Sequence, residues 1–335
     1  MNAEKIKEPV VTVVMPVYNV EAYVELAVDS VLSQTFLEFE LLIIDDASPD
    51  GSIALIRSRF SDPRIRIISQ ENRGLAGARN TGIREARGKY IAFLDSDDFW
   101  HKDKLKKHLI CFNKSPNTGV TFSASMFVNE QSEPLHRIQT PYIKHGYTAR
   151  NVFCRNPIGN GSAPVIEKSI LERIAVEGRN KNGERQSYAQ YFDEELRQSE
   201  DIDCWTRIAV STATEFSLID VPLTYYRVNE AGLSADVDTQ YQTWLAFVEK
   251  LEAIDPDFVK EHGSAAKAFQ CRYLARRCLS QAKGRSALKW CFAALRHNPI
   301  ALMEESARTL TTFSASVLFA FLPVAWQKKM LSSML

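Results

Sequence analysis

Carboxylates crowd two short stretches of this chain where they could do chemistry. In IAFLDSDDFW, residues 91–100, an apolar run leads straight into Asp95, Asp97 and Asp98. In DEELRQSEDIDCW, residues 193–205, Glu200 and Asp201 stand at the apparent start of a helix. Acids at a strand end can be solvated, can cap the next helix, or can hold a cation. Capping would account for Asp98 or Asp103, ahead of the helical KDKLKKHLICF. It leaves Asp95 and Asp97 as crowded like charges, a costly arrangement unless something positive arrives. Magnesium-like cations are held by one or two carboxylates, with phosphate oxygens and water completing the shell. The Asp-x-Asp spacing therefore points to a metal bound to a diphosphate. The second cluster also reads as plain structure: Ser199 as a cap, then Ile202, Trp205, Ile208 and Ala209 on one apolar face. A carboxylate held ionised at a helix start can nevertheless accept a proton.

The elements that must carry these acids alternate between strand and helix. Residues 10–17, VVTVVMPV, read as a strand buried on both faces. Asn19 then reads as the cap of a helix with Val20, Val24, Ala27, Val28 and Val31 at helical spacing. Residues 39–44 form a second strand ending at Asp45-Asp46, and ASPDGS makes a loop. A short helix at 52–60, a strand at 64–69, a helical stretch at 72–87 and a strand at 90–94 follow. This βαβαβαβ order predicts an α/β fold with a largely parallel sheet flanked by helices. Ligands of such sheets bind beyond the carboxyl ends of the strands. The segment from Pro16 to Tyr18, the pair Asp45-Asp46, and Asp95, Asp97 and Asp98 should therefore share one rim.

The ordered set TVVMPVYN, LLIIDDASPDGS, ENRGLAGARNTGI, GKYIAFLDSDDFW and SEDIDCW resembles the family 2 glycosyltransferases, over residues 10 to about 230. The resemblance implies a GT-A fold, a Rossmann-like central sheet, and a nucleotide-diphosphate sugar as donor. It implies that Pro16 and Tyr18 line the nucleoside pocket and that Asp46 hydrogen-bonds a pyrimidine base, uracil first. Arg79 would lie near the nucleotide, Asp95 would contact the ribose or support the metal shell, and Asp97 would coordinate Mg²⁺ or Mn²⁺. Asp201 would be the general base and Glu200 would orient the site or the acceptor. The acceptor implied is a glycan or lipid-linked oligosaccharide. Two departures stand out. Asn229 occupies a position where the family often has a His near the metal, and residues 178–190, GRNKNGERQSYAQ, read as a polar insertion ahead of the base.

Composition narrows the setting. The chain has 335 residues, 45% of them hydrophobic, with 41 Lys+Arg and 41 Asp+Glu, so charge gives no reason to propose nucleic acid as a partner. Six scattered cysteines without a CxxC pair, and an N-terminus without an apolar signal core, fit a reducing cytoplasm. The histidines lack ligand spacing, which argues against zinc.

From about residue 237 helical patterns take over, which divides the chain into a catalytic domain at 1–236, a helical hairpin region at 237–309 and an apolar tail at 310–335. The hairpin should pack Leu274, Cys278 and Leu279 against Leu288, Cys291 and Leu295. The tail, broken by Pro323, is too short to span a bilayer. It reads either as an interfacial helix on the cytoplasmic face of an inner membrane, or as a surface buried on the hairpin or on a second subunit of a homo-oligomer. Two other functions compete. A sugar-phosphate nucleotidyltransferase would need a glycine-rich basic loop after the first strand, and MPVYNVEAY has none. A scaffold that binds nucleotide sugars without catalysis is disfavoured by intact Asp97 and Asp201.

Overall fold

The computed structural model describes residues 8–140, 143, 146–179, 185–228 and 236–334. Asn229 and the middle of the polar insertion, residues 180–184, lie outside them. The chain divides into two compact units, residues 1–148 with 157–230, and residues 149–156 with 231–335.

The first unit begins with β1 (Val11–Val17), every residue of which is buried. Helix α1 (Val24–Leu32) buries Val24, Ala27, Val28 and Val31, the stripe its sequence spacing predicts. Asn19 is not its cap. It adopts a left-handed backbone, φ 56°, and its N–H donates to Ser48 Oγ, so the helix starts a turn later. There follow β2 (Phe39–Asp45), α2 (Ser52–Arg59), β3 (Ile65–Ser69), α3 (Gly74–Glu85) and β4 (Tyr90–Phe93). Then come β5 (Phe99–Trp100), α4 (Lys104–Lys114), β6 (Thr118–Val128) and β7 (Pro134–Gln139). Helix α5 (Ala149–Arg155) belongs to the other unit. The chain returns through β8 (Pro164–Glu167), α6 (Lys168–Arg173), β9 (Val176–Arg179), β10 (Arg185–Gln190), α7 (Glu200–Ser211) and β11 (Glu215–Arg227).

The main sheet runs β3-β2-β1-β4-β8-β6-β11-β5, with β7 also on β6, while β9 and β10 pair separately. β3, β2, β1 and β4 are mutually parallel, as are β6 and β11; β8 runs antiparallel between β4 and β6. The parallel block ends in common register, with Val17 beside Asp45 and Asp45 beside Ser69. That alignment creates the rim on which the acids gather. Pro16 is tolerated in a central strand because β4 pairs only with Val11–Val14, so no neighbour on that side needs its missing N–H. Val13, Met15, Leu41, Ile43, Ala92 and Leu94 pack under α1 as the core.

The second unit is helical, with α5, α8 (Val237–Ile254), α9 (Pro256–Ser280), α10 (Gly284–His297), α11 (Ile300–Glu304), α12 (Ser306–Phe321) and α13 (Val324–Met334). Asp236 caps α8 by accepting from the Asp238 and Thr239 N–H groups, and Asp255 caps α9 ahead of Pro256. Phe153 of α5 stacks on Trp244 of α8, centroids 6.2 Å apart. The hairpin forms, but α10 turns a different face inward from the one its leucines suggest. Ala287, Cys291 and Ala294 are buried, whereas Leu288 and Leu295 are half-buried. Small residues win because α12 also packs on α10, and a Cβ on Gly284 would meet the Phe319 backbone.

Close packing sets one stability prediction. A Cβ on Gly82 of α3 would collide with the Val14 side chain of β1. Gly82→Ala should therefore cost about 1–3 kcal/mol despite alanine's better helix propensity. Adding Val14→Ala should recover part of the loss in a denaturant titration. Equal stability of Gly82→Ala and the wild type would refute the close approach.

Candidate active site

The loop after β4 carries the first acidic cluster, and its three aspartates have separate fates. Asp98 is buried, accepts Ser162 Oγ at 2.6 Å and the Arg227 N–H at 2.8 Å, and caps no helix. Asp103 stands at the N-cap position of α4 without a side-chain cap bond and instead accepts Thr35 Oγ1 at 2.8 Å. Asp95 is half-buried, receives Arg79 Nη2 at 2.7 Å and donates its own N–H to Ser162 Oγ at 3.0 Å. Asp97 lends its backbone carbonyl to Arg227 Nε at 2.7 Å, but no side chain among the described residues donates to its carboxylate. Burial, then the charge of Asp95, pushes the Asp97 carboxyl up to about 6. Burial and both neighbouring acids push Asp98 well above the carboxylate range.

Arg79 joins this loop to the second cluster. It sits on α3, is 1% exposed, and donates Nη1 to Glu200 at 2.9 Å as well as Nη2 to Asp95. Its guanidinium lies over Phe192, 5.3 Å from the ring centroid, and Nε is without a hydrogen-bond partner. Burial works against its charge, yet Asp95 and Glu200 more than offset this and hold it protonated. Room for the pair comes from Gly161, where a Cβ would strike the Arg79 guanidinium. The next residue, Asn80, receives the Tyr191 and Phe192 N–H groups and donates to the Phe192 carbonyl and Glu194. Two adjacent α3 side chains thus fix both the approach to α7 and its first residue.

At the start of α7, Ser199 takes a left-handed backbone, φ 65°, and makes no side-chain cap bond, contrary to the capped start its sequence suggests. This turn projects Glu200 inward to Arg79. Burial pushes Glu200 up to about 7, although Arg79 pulls the other way. Asp201 is half-buried; one oxygen accepts the Ile202 N–H at 2.7 Å, and burial raises its carboxyl above the usual range against the pull of Arg79. Asp203 is spent on Arg207, one turn along.

The strand ends expected to line a nucleoside pocket are less open than the sequence suggests. Asp46 is 2% exposed and accepts the N–H groups of Arg73 and Gly74, each at 2.9 Å, and Gln70 Nε2 at 2.6 Å. It therefore caps α3 from a different strand end, work that no sequence spacing reveals. The Pro16 carbonyl accepts Ser96 Oγ at 2.7 Å, which ties β1 to the Asp95 loop, and Tyr18 is 50% exposed on the same rim. The structure thus brings Asp95, Asp97, Arg79, Glu200 and Asp201 together, with Asp46, Pro16 and Tyr18 along the neighbouring strand ends. Sequence reasoning missed Asn80, Gly161, Ser162 and Arg227. Asn80 lies in the quoted motif ENRGLAGARNTGI, and Arg227 lies two residues before the noted Asn229; GNGSAP, which holds Gly161 and Ser162, gave no signal.

Among the described residues no group of three or more His, Cys, Asp or Glu side chains forms a metal cage. Asp97 and Asp95 are two adjacent carboxylates, a donor set that suits only a cation taking most of its ligands from phosphate and water.

Residues 12–175 match the family model described as Glycosyl transferase family 2. This part of the chain is a family 2 glycosyltransferase domain. Over 73% of its length the chain is 32% identical to an uncharacterized glycosyltransferase of Rickettsia felis, and the match spans 37% of that protein. It is 28% identical, over 72% of its length, to the putative teichuronic acid biosynthesis glycosyltransferase TuaG of Bacillus subtilis, 88% of which is matched. Among solved structures it resembles S. aureus TarS 1–349 in complex with UDP-GlcNAc, with TM-score 0.59 and 18% identity, over 90% of this chain and 89% of the other. The architecture is the GT-A fold.

The acids make the metal-free protein pH-sensitive in a stated direction. An acid raised in the folded state from 3.8 to about 6 prefers its proton there, so its penalty grows as pH rises across that window. Asp97→Asn removes the penalty. Its Tm in EDTA should match wild type near pH 4 and exceed it by a few degrees above pH 6. A difference that stays flat across the range would contradict the crowding of Asp97.

Proposed function

We propose that this protein is an inverting glycosyltransferase. It moves a sugar from a nucleotide diphosphate, UDP first among the candidates, to a hydroxyl of a glycan or lipid-linked oligosaccharide in cell-surface polysaccharide biosynthesis. One observation carries this reading: Arg79 binds the Asp-x-Asp loop and the first residue of α7 at once, so a phosphate-facing acid and a potential base share one site. The teichuronic acid assignment of one relative and the UDP-GlcNAc bound to a similar fold support the acceptor and donor classes.

In this mechanism the Asp201 carboxylate takes the acceptor proton while the acceptor oxygen bonds to the anomeric carbon. The anomeric bond to the diphosphate breaks on the opposite face, and its electron pair leaves with the nucleotide. Inversion follows from the single displacement, without a protein nucleophile. Glu200 orients Asp201 through Arg79, and Asp95 keeps Arg79 turned toward the donor. Asp97 would hold a Mg²⁺ or Mn²⁺ ion, which when bound neutralises charge on the departing diphosphate. Tyr18 and Pro16 flank the nucleoside. Asp46 has about four lone-pair positions, three of them already used, which leaves one acceptor for an imide N–H of the base.

Asp201→Asn should keep UDP binding in a thermal-shift titration and lose turnover by about 10²–10⁴-fold. Near-normal transfer would remove Asp201 as the base. In Asp97→Ala, the extra stabilisation that Mn²⁺ gives to UDP-bound protein should vanish. If UDP binds equally with and without Mn²⁺ in the wild type, Asp97 is not a metal ligand. Donor hydrolysis or transfer above background excludes the non-catalytic scaffold.

A further inference from the structure

Helix α12 buries mainly hydroxyl side chains against protein and leaves most of its large apolar ones exposed. Packed on α9, α10 and α11, it buries Thr309, Thr312, Ser316 and Phe319. Thr309 Oγ1 accepts Arg272 Nη1 at 3.0 Å and donates to the Ala301 carbonyl at 2.7 Å. Thr312 and Ser316 bond to carbonyls one turn back, and Ser316 lies 3.4 Å from Cys291 Sγ. The outer side carries Leu310, Val317, Leu318 and Phe321, the last 84% exposed. Val324 and Trp326 of α13 are 56% and 60% exposed. A helix whose outer face met only water would show the reverse pattern. No Asp, Glu, Lys or Arg occurs from residue 309 to 327.

The segment that carries this face is basic. Between residues 284 and 335 the cations are Arg285, Lys289, Arg296, Arg308, Lys328 and Lys329, all exposed. The two acids in that span, Glu304 and Glu305, are consumed by Arg150, Arg155 and Arg272. Lys329 lies over the Trp326 ring, 5.9 Å from its centroid, an aromatic–cation pair suited to a headgroup boundary.

We infer that the outer face of α12 and α13 docks on an anionic phospholipid surface, lying on it without crossing. The 16 residues of α12 span about 24 Å, short of the ~30 Å hydrocarbon layer. No described helix is long and apolar enough to cross a membrane. A second copy is the other apolar occupant, but an isologous contact would set this basic segment against itself. The inference rests on the helical unit alone and stands apart from the transfer chemistry.

The test is sedimentation of the full chain with phosphatidylcholine vesicles, with and without phosphatidylglycerol. The protein should pellet with the anionic vesicles only, with a blue shift of tryptophan emission and release by high salt. Leu318→Ser/Phe321→Ser should weaken that binding at least about tenfold, as should Lys328→Glu/Lys329→Glu, while Tm and UDP binding stay unchanged. Absence of sedimentation, equal binding to neutral vesicles, or indifference to both variants overturns the inference. So does light scattering that shows a lipid-free dimer converted to monomer by Leu318→Ser/Phe321→Ser.

Discussion

A guanidinium taken almost wholly out of water keeps its charge only if the fold supplies opposite charge at hydrogen-bond distance, and Arg79 has two such partners. Each partner comes from a different part of the chain. Asp95 lies in the loop after the fourth strand of the parallel block, and Glu200 begins a helix more than a hundred residues later. Removing either would leave a buried charge half-paired, so the position of α7 against the sheet is enforced by electrostatics as well as by packing. Phe93, Phe192 and Trp205 supply the packing, with ring centroids 5.3–6.3 Å apart beneath the pair. A site built this way places its acids before any ligand arrives, the preorganisation on which transition-state stabilisation depends.

The opposite side of the Asp95 loop is held by Ser162 and Arg227. Ser162 binds the Asp95 N–H and the Asp98 carboxyl, and its carbonyl receives Trp100 Nε1. Arg227 stacks on Tyr23 and donates to the carbonyls of Asp97, Asn129 and Glu130. These contacts fix the loop through the Asp97 carbonyl, and the nearby Arg227 charge only partly offsets the burial of the Asp97 carboxyl. Its carboxyl is left raised in pKa, with no side-chain donor on it among the described residues. In such a state it gains most from an incoming cation, because the cation relieves both the burial cost and the repulsion from Asp95.

Much of this was legible in the sequence where the signal was local. The strand and helix alternation up to β4 follows from apolar runs and turn residues, and the rim follows from parallel strands ending together. The acids at 95, 97, 200 and 201 could be singled out because like charges crowd there. What local pattern could not carry was long-range. β8, inserted antiparallel between β4 and β6, has no periodicity that marks its neighbours. Nothing local in the sequence of α5 marks its Phe153 as the partner of Trp244. Asn19 and Ser199 have cap-forming side chains, but both adopt left-handed backbones, so residue type suggested a cap where geometry needed a turn. On α10 the leucines looked like the core face, whereas the presence of α12 selected the alanines.

Asp46 shows most plainly how the two ends of the site are tied. Its carboxylate holds the first N–H groups of α3, where an acid also complements the helix dipole. Arg79 and Asn80 lie one to two turns further along the same helix, so anything that moves Asp46 is transmitted to the ion pairs at the other end. A base that took the remaining lone pair of Asp46 would bind the residue that sets the start of α3. Under the proposed function, nucleotide recognition would therefore be connected to the placement of Asp95 and Glu200 through one short element, packed against β1 where Gly82 meets Val14. The glycine that allows this approach is, on that account, as much a part of the site's geometry as the charges.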